Sequence, residues 1–145
     1  MTLEQKELLL KDLCARLPYS VKVEYDKCAC EILSIDRFNE ELTIWKCPGC
    51  YPDIELENTK PYLFPLSSIS EDQKYDFYCR FIKNDCNFDD FKFYLYTGMW
   101  RRKLLTLTSI DDIETIIDWF HKNHIDWRGL IPMGLALDAT GLNIY

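Results

Sequence analysis

Residues 27–50, KCACEILSIDRFNEELTIWKCPGC, constrain this chain most, because apolar and polar positions alternate on both sides of a turn at Arg37-Phe38-Asn39-Glu40. A period of two sends successive side chains to opposite faces of a strand, so the stretch reads as a β-hairpin with strands over about 29–36 and 41–47. With Phe38 and Asn39 at the centre of the turn, Leu33 should face Ile44, Ile35 should face Leu42, and Glu31 should face Lys46. The other face then pairs Ile32 with Trp45, Ser34 with Thr43, and Cys30 with Cys47. One side is mostly apolar; the other is apolar enough for a helix to cover part of it.

The same register brings Cys30 and Cys47 within about 5 Å at Cβ. Cys28 lies two residues back on the same face, and Pro48-Gly49 folds Cys50 toward Cys47. Four sulfurs at one end of a hairpin suit a tetrahedral structural zinc with Zn–S bonds of about 2.3 Å. Against this, the Cys-x-Cys half holds its sulfurs roughly 7 Å apart in a regular strand, so the strand would have to bend. Free cysteine is also among the most buried residue types, so Cys28, Cys30, Cys47 and Cys50 read first as small semi-buried hydrophobes, with zinc as the alternative. A redox dithiol at Cys47 and Cys50 lacks the strand-to-helix context such pairs need.

Around the hairpin the pattern is mixed. Thr2 and Gln5 form a capping box that opens a helix, with Leu10, Leu13, Cys14 and Leu17 on its apolar face and Pro18 ending it. Val21, Val23 and Tyr25 alternate with Lys22 and Glu24 as a short strand. Residues 53–57 read as another strand, and the proline-punctuated KPYLFPLSSI as a segment that closes a small barrel. Ser70 and Gln73 cap a second helix, in which Phe77, Phe81 and Tyr78, Ile82 pair at four-residue spacing. FKFYLYT (91–97) and KLLTLT (103–108) look like two strands joined by GMWRR. A third helix starts at Ser109, turning Ile110, Ile113, Ile117 and Phe120 inward. The glycine- and proline-broken end of the chain reads as irregular or short extended structure.

A length of 145 residues suits a single domain, and 48% apolar with 14% aromatic residues supplies its core. No stretch reaches the roughly 20 apolar residues of a membrane span. Glu4, Glu7 and Asp12 interrupt the start of the chain, which therefore does not read as a secretory signal. The expected compartment is the cytoplasm, where the seven cysteines stay reduced. A net charge of −7 opposes broad attraction to nucleic acid.

No phosphate loop, dinucleotide fingerprint or nucleophile elbow is present. His121 and His124, with Asp118 a turn earlier, could share a metal face, but a favourable meeting with the helix C-terminal dipole is the commoner reason for histidine there. Trp100, Arg101, Arg102 and Lys103 form the one compact basic and aromatic cluster. At a hairpin tip it would stack on a base or hold an oxyanion; alternatively, Trp100 anchors the loop and the charges solvate it.

Three phrases stand together in the chain: MTLEQKELLLKDLCARLPYSVKV, KPYLFPLSSISEDQK and DWFHKNHIDWRGLIPMGLALDA. In these the chain resembles uncharacterised small proteins encoded by phages, prophages and other mobile elements of gut Bacteroidales. The likeness covers about half the sequence and carries no known activity. It implies an accessory protein of a mobile element that engages a host protein, with a defence component as one candidate.

The expected architecture is α+β in one domain, 1–145. Residues 1–69 form a helix and a small SH3-like antiparallel barrel, and 70–145 a helix, a hairpin, a helix and an irregular tail. The expected function is a non-catalytic binding module with no cofactor. The alternative is a module supported by one structural zinc that contacts nucleic acid or a nucleotide through Trp100–Lys103.

Overall fold

The computed structural model describes residues 1–46, 48–82, 86–96 and 110–145, which are α+β. They divide into two compact units: Met1–Pro65 with Asp126–Tyr145, and Leu66–Ile125. The chain's end, expected with the second half, thus belongs to the first unit.

In the first unit, α1 (Leu3–Arg16) opens on the capping box of Thr2 and Gln5. It turns Leu9, Asp12, Leu13 and Arg16 inward, a face rotated from the expected one; Cys14 is exposed. An ion pair occupies part of the stripe that an apolar count alone would miss. Four strands follow, β1 (Lys22–Tyr25), β2 (Cys28–Asp36), β3 (Glu41–Trp45) and β4 (Asp53–Glu55), in an antiparallel sheet of order β1-β2-β3-β4. Asp26 and Lys27 join β1 to β2 with positive φ of 48° and 64°, the two-residue turn whose twist matches a hairpin. Between β2 and β3, the Asp36 carboxylate accepts from the backbone N–H of Phe38 at 2.8 Å and of Asn39 at 3.2 Å. Glu40 then takes φ 58°.

The register near that turn is as the alternation predicts, with Ile35 opposite Leu42 and Ser34 opposite Thr43. Beyond it the pairing slips by one: Ile32 faces Ile44 and Glu31 faces Trp45. Leu33 is the extra residue of a bulge, 45% exposed, where the regular hairpin had it facing Ile44. The bulge keeps Ile32 and Ile35 on the buried side, although three positions apart they would lie on opposite faces of an unbroken strand.

The sheet curls into half of a barrel. Glu24 N–H donates to the Lys60 carbonyl at 3.2 Å, and Val23 bridges Pro61. Beyond them β5 (Tyr62–Leu63) pairs in parallel with β6 (Leu137–Asp138), near the chain's end. The core packs Leu9 and Leu13 against Val21, Val23, Ile32 and Ile44, joined by Leu130, Leu135 and Ala136. Burying such side chains contributes about 1.5–3 kcal/mol each relative to exposure.

The second unit is helical in its described residues: α2 (Glu71–Phe81), α3 (Phe88–Tyr96) and α4 (Ile110–Lys122). Ser70 and Gln73 cap α2 as expected. Phe77 is the hub, 5.5 Å from Phe91 in a stacked pair and 5.0 Å from Trp119 edge-on. Over 91–96 the expected strand is instead part of α3, which corrects that half of the predicted C-terminal hairpin, and position 97 lies outside the described residues. The Asn87 side-chain oxygen accepts from Asp90 N–H at 2.9 Å, and Asp89 and Asp90 place negative charge in the first turn, where the helix dipole favours it. The second expected strand, 103–108, lies outside the described residues. In α4 the buried positions are Ile116, Trp119, Phe120 and His121. Among the described residues, no helix is long and apolar enough to cross a membrane.

Candidate binding surface

The pleat assigns every sheet residue to one of two faces. Val23, Cys30, Ile32, Leu42, Ile44 and Ile54 point into the core. Their neighbours point outward, and the register sorts them into rows. One row is Lys22, Glu31 and Trp45; the next is Ser34, Thr43 and Asp53; the last is Asp36, Glu41 and Glu55. Trp45 is 43% exposed, and the bulged Leu33, between the Ile32–Ile44 and Ser34–Thr43 pairs, is 45% exposed.

The last row is electrostatically unfavourable as it stands. Asp36 opposes Glu41, and Glu41 opposes Glu55, so like charges meet directly across two strand pairs. A countercharge beside the row is Lys6 on α1, which forms an ion pair with Glu40. Lys6 shares with Glu41, Glu55 and Glu57 a cleft of about 190 Å³ beside the row. Contact with Glu40 raises the Lys6 pKa, and the fields of Glu57 and Glu55 add to it. The hydrogen bonds from Asn39 and Phe38 lower that of Asp36. Asp53 accepts from the Thr43 hydroxyl at 2.7 Å. At the opposite end of the face, the Lys22 amine is held by the Ile144 carbonyl at 2.6 Å.

The face is carried on a frame of buried polar contacts. Asp12 and Arg16 are fully buried and joined at 2.6 Å, and Arg128 reaches the same carboxylate at 3.0 Å. Arg128 also lies 4.2 Å over the Trp127 ring. The Asp126 carboxylate accepts from Leu130 and Ile131 N–H at 2.7 and 2.8 Å. The Tyr145 hydroxyl donates to the Tyr62 carbonyl at 2.9 Å and accepts from Lys22 N–H at 3.1 Å. Together these contacts fasten α1, the edge of β1 and the chain's end into one unit.

Of the residues singled out in the sequence, Cys28 and Cys50 are exposed and Cys30 is buried in the core. Burial pushes the Cys30 thiol up in pKa. Lys46 N–H donates to the Cys50 carbonyl at 3.3 Å, which brings the Pro48-Gly49 turn back to β3. Cys47 and the whole cluster Trp100, Arg101, Arg102 and Lys103 lie outside the described residues. His121 and His124 are both buried in the second unit, the latter just past α4 at φ 53°. Among the described residues, no group of three or more histidine, cysteine or acidic side chains is arranged to hold a metal. The Asp36–Glu41 pair follows from the register expected beside the turn, but the place of Asp53 and Glu55 in these rows comes from the pairing of β4 with β3.

No family model, curated protein or solved structure matches this chain.

Proposed function

We propose that this chain is a non-catalytic binding module that works through the outer face of its β1–β4 sheet, and that it serves a mobile element by engaging a host protein. The observation that carries the binding reading is the exposure of two large apolar side chains on the sheet, Trp45 at 43% and the bulged Leu33 at 45%. Large apolar side chains on an otherwise polar face are what protein contacts use as anchors. The mobile-element role rests on the resemblance in the three phrases quoted above. We read the curled sheet as an SH3-like barrel, whose exposed strands offer such a surface without a deep pocket.

A photo-crosslinking residue at position 34, exposed in the row adjoining Trp45, compared with one at exposed Glu7 on α1, tests this in host cells. The reading expects a discrete adduct from position 34 and none from position 7. Equal labelling, or none from either, contradicts it.

The zinc-supported alternative keeps Cys28, Cys30, Cys47 and Cys50 as ligands and Trp100–Lys103 as the contact to nucleic acid or a nucleotide. In its favour, Cys28 and Cys30 share one side of β2, opposite Tyr25 and Val23. Ligation would require the Cys30 thiol to lose the proton that burial helps it keep. Native mass spectrometry of fresh protein decides it: a zinc-sized adduct, lost in Cys28→Ser, supports the alternative, and bare protein removes it.

A further inference from the structure

From the arrangement of charge on the outer face we infer that the partner presents a cationic, arginine- or lysine-bearing protein segment to the sheet; this rests on the binding reading above and names its partner's chemistry. Asp36, Glu41 and Glu55 are exposed and directly opposed across three strands, with Asp53 in the adjoining row. Like charges in opposed positions destabilise a sheet. Acidic residues on β4 alone would have a simple purpose, since charge blunts an edge strand against unwanted pairing. That purpose does not extend to Glu41, which sits on β3 with Asp36 of β2 on one side and Glu55 of β4 on the other. Asp36 has a local role in capping the turn, but Glu41 has no such hydrogen bond among the contacts of the turn.

The apolar element fits the same ligand. Trp45 stands two residues along β3 from Thr43 and four from Glu41, on the same side. A guanidinium or ammonium group can lie over an indole face while its neighbours pair with carboxylates. An extended segment sends alternate side chains to one side about every 7 Å, close to the spacing of successive rows on this face. The phosphate backbone of a nucleic acid would be repelled by the same carboxylates, so charge complementarity selects a cationic peptide over a polyanion.

The test is a titration of the full chain with a ten-residue peptide alternating arginine and threonine, with its glutamate-for-arginine counterpart, and with a single-stranded oligonucleotide. The arginine peptide should bind, the acidic peptide should not, and affinity should fall as salt rises. The double variant Glu41→Gln/Glu55→Gln should bind about tenfold more weakly, and Trp45→Ala should lose about as much. Because the double variant removes opposed like charges, it should melt no lower than the parent, which separates lost binding from lost folding. Undiminished binding by both variants, or tighter binding of the oligonucleotide, overturns the inference. So does failure of the arginine peptide to bind; if crosslinking from position 34 persists in that case, the binding module stands and only its cationic partner is withdrawn.

Discussion

Arg128 donates to the Asp12 carboxylate at 3.0 Å although 116 positions separate the two residues. The other oxygen of that carboxylate takes the Arg16 Nε–H at 2.6 Å. One fully buried acid therefore ties α1 to the last part of the chain. Asp12→Ala removes the carboxylate that both guanidinium groups share and should cost about 3–5 kcal/mol. Arg128→Ala, whose side chain is 15% exposed, should cost less. Urea denaturation of the two variants measures both, and a smaller loss for Asp12→Ala than for Arg128→Ala would contradict this frame.

Tyr145 provides a second fastening, and its titration has a definite sign. Although 40% of the residue is accessible, its hydroxyl engages backbone groups of Tyr62 and Lys22, and burial pushes its pKa up to about 12 from 10.0. A phenol that keeps its proton longer when folded stabilises the fold fully below pH 10. That contribution disappears as pH rises from about 10 to about 12. Tyr145→Phe should cost about 1 kcal/mol at neutral pH and flatten the alkaline fall in stability. Melting curves between pH 8 and about 11 check both, and an unchanged alkaline limb in the variant would contradict the assignment.

The exposed and buried cysteines should part company. Cys30→Ser places a hydroxyl in the apolar core and should cost about 1–3 kcal/mol. Cys28→Ser and Cys50→Ser, at exposed positions, should stay within about 0.5 kcal/mol. Equal and large losses at all three positions would instead be the signature of a shared metal.

In the second unit Asp76 accepts from Arg80 at 2.7 Å and from the Trp119 indole N–H at 3.1 Å. The Arg80 contact first, then Trp119, holds its pKa below 3.8. The stabilisation is therefore complete above about pH 4 and lost as pH falls through the lower folded value. Asp76→Asn should reduce stability at pH 7 and make it less sensitive to acid. Trp119 fluorescence during acid titration, compared between parent and variant, reports this; coincident curves would contradict it.

What could be read in the sequence was what is locally determined. The capping boxes at Thr2 and Ser70 and the Ile35–Leu42 pairing beside the turn depend on residues a few positions apart, and all are present. The bulge at Leu33 could not be read, because a single extra residue leaves alternation intact on either side of it. Residues 91–97 alternate like a strand, yet Phe88 and Phe91 also stand at helical spacing, and Phe91 stacks on Phe77 of α2. Tertiary packing decided between two permitted periods. Asp12 and Arg16 fall outside the expected apolar stripe of α1, and their burial was not legible because the Arg128 that joins them arrives from the far end of the sequence. The Asp36–Glu41 opposition follows from the register expected beside the turn, whereas the Glu41–Glu55 opposition depends on how β4 pairs with β3, which alternation alone does not give.

The most direct measurement is a two-dimensional amide NMR titration of the isotope-labelled chain with the alternating arginine–threonine peptide. Saturable shifts concentrated at Glu31, Leu33, Glu41, Trp45 and Glu55, with α1 unmoved, are the predicted result. Shifts confined to other parts of the chain, or none at any peptide concentration, would contradict a working surface on the outer sheet.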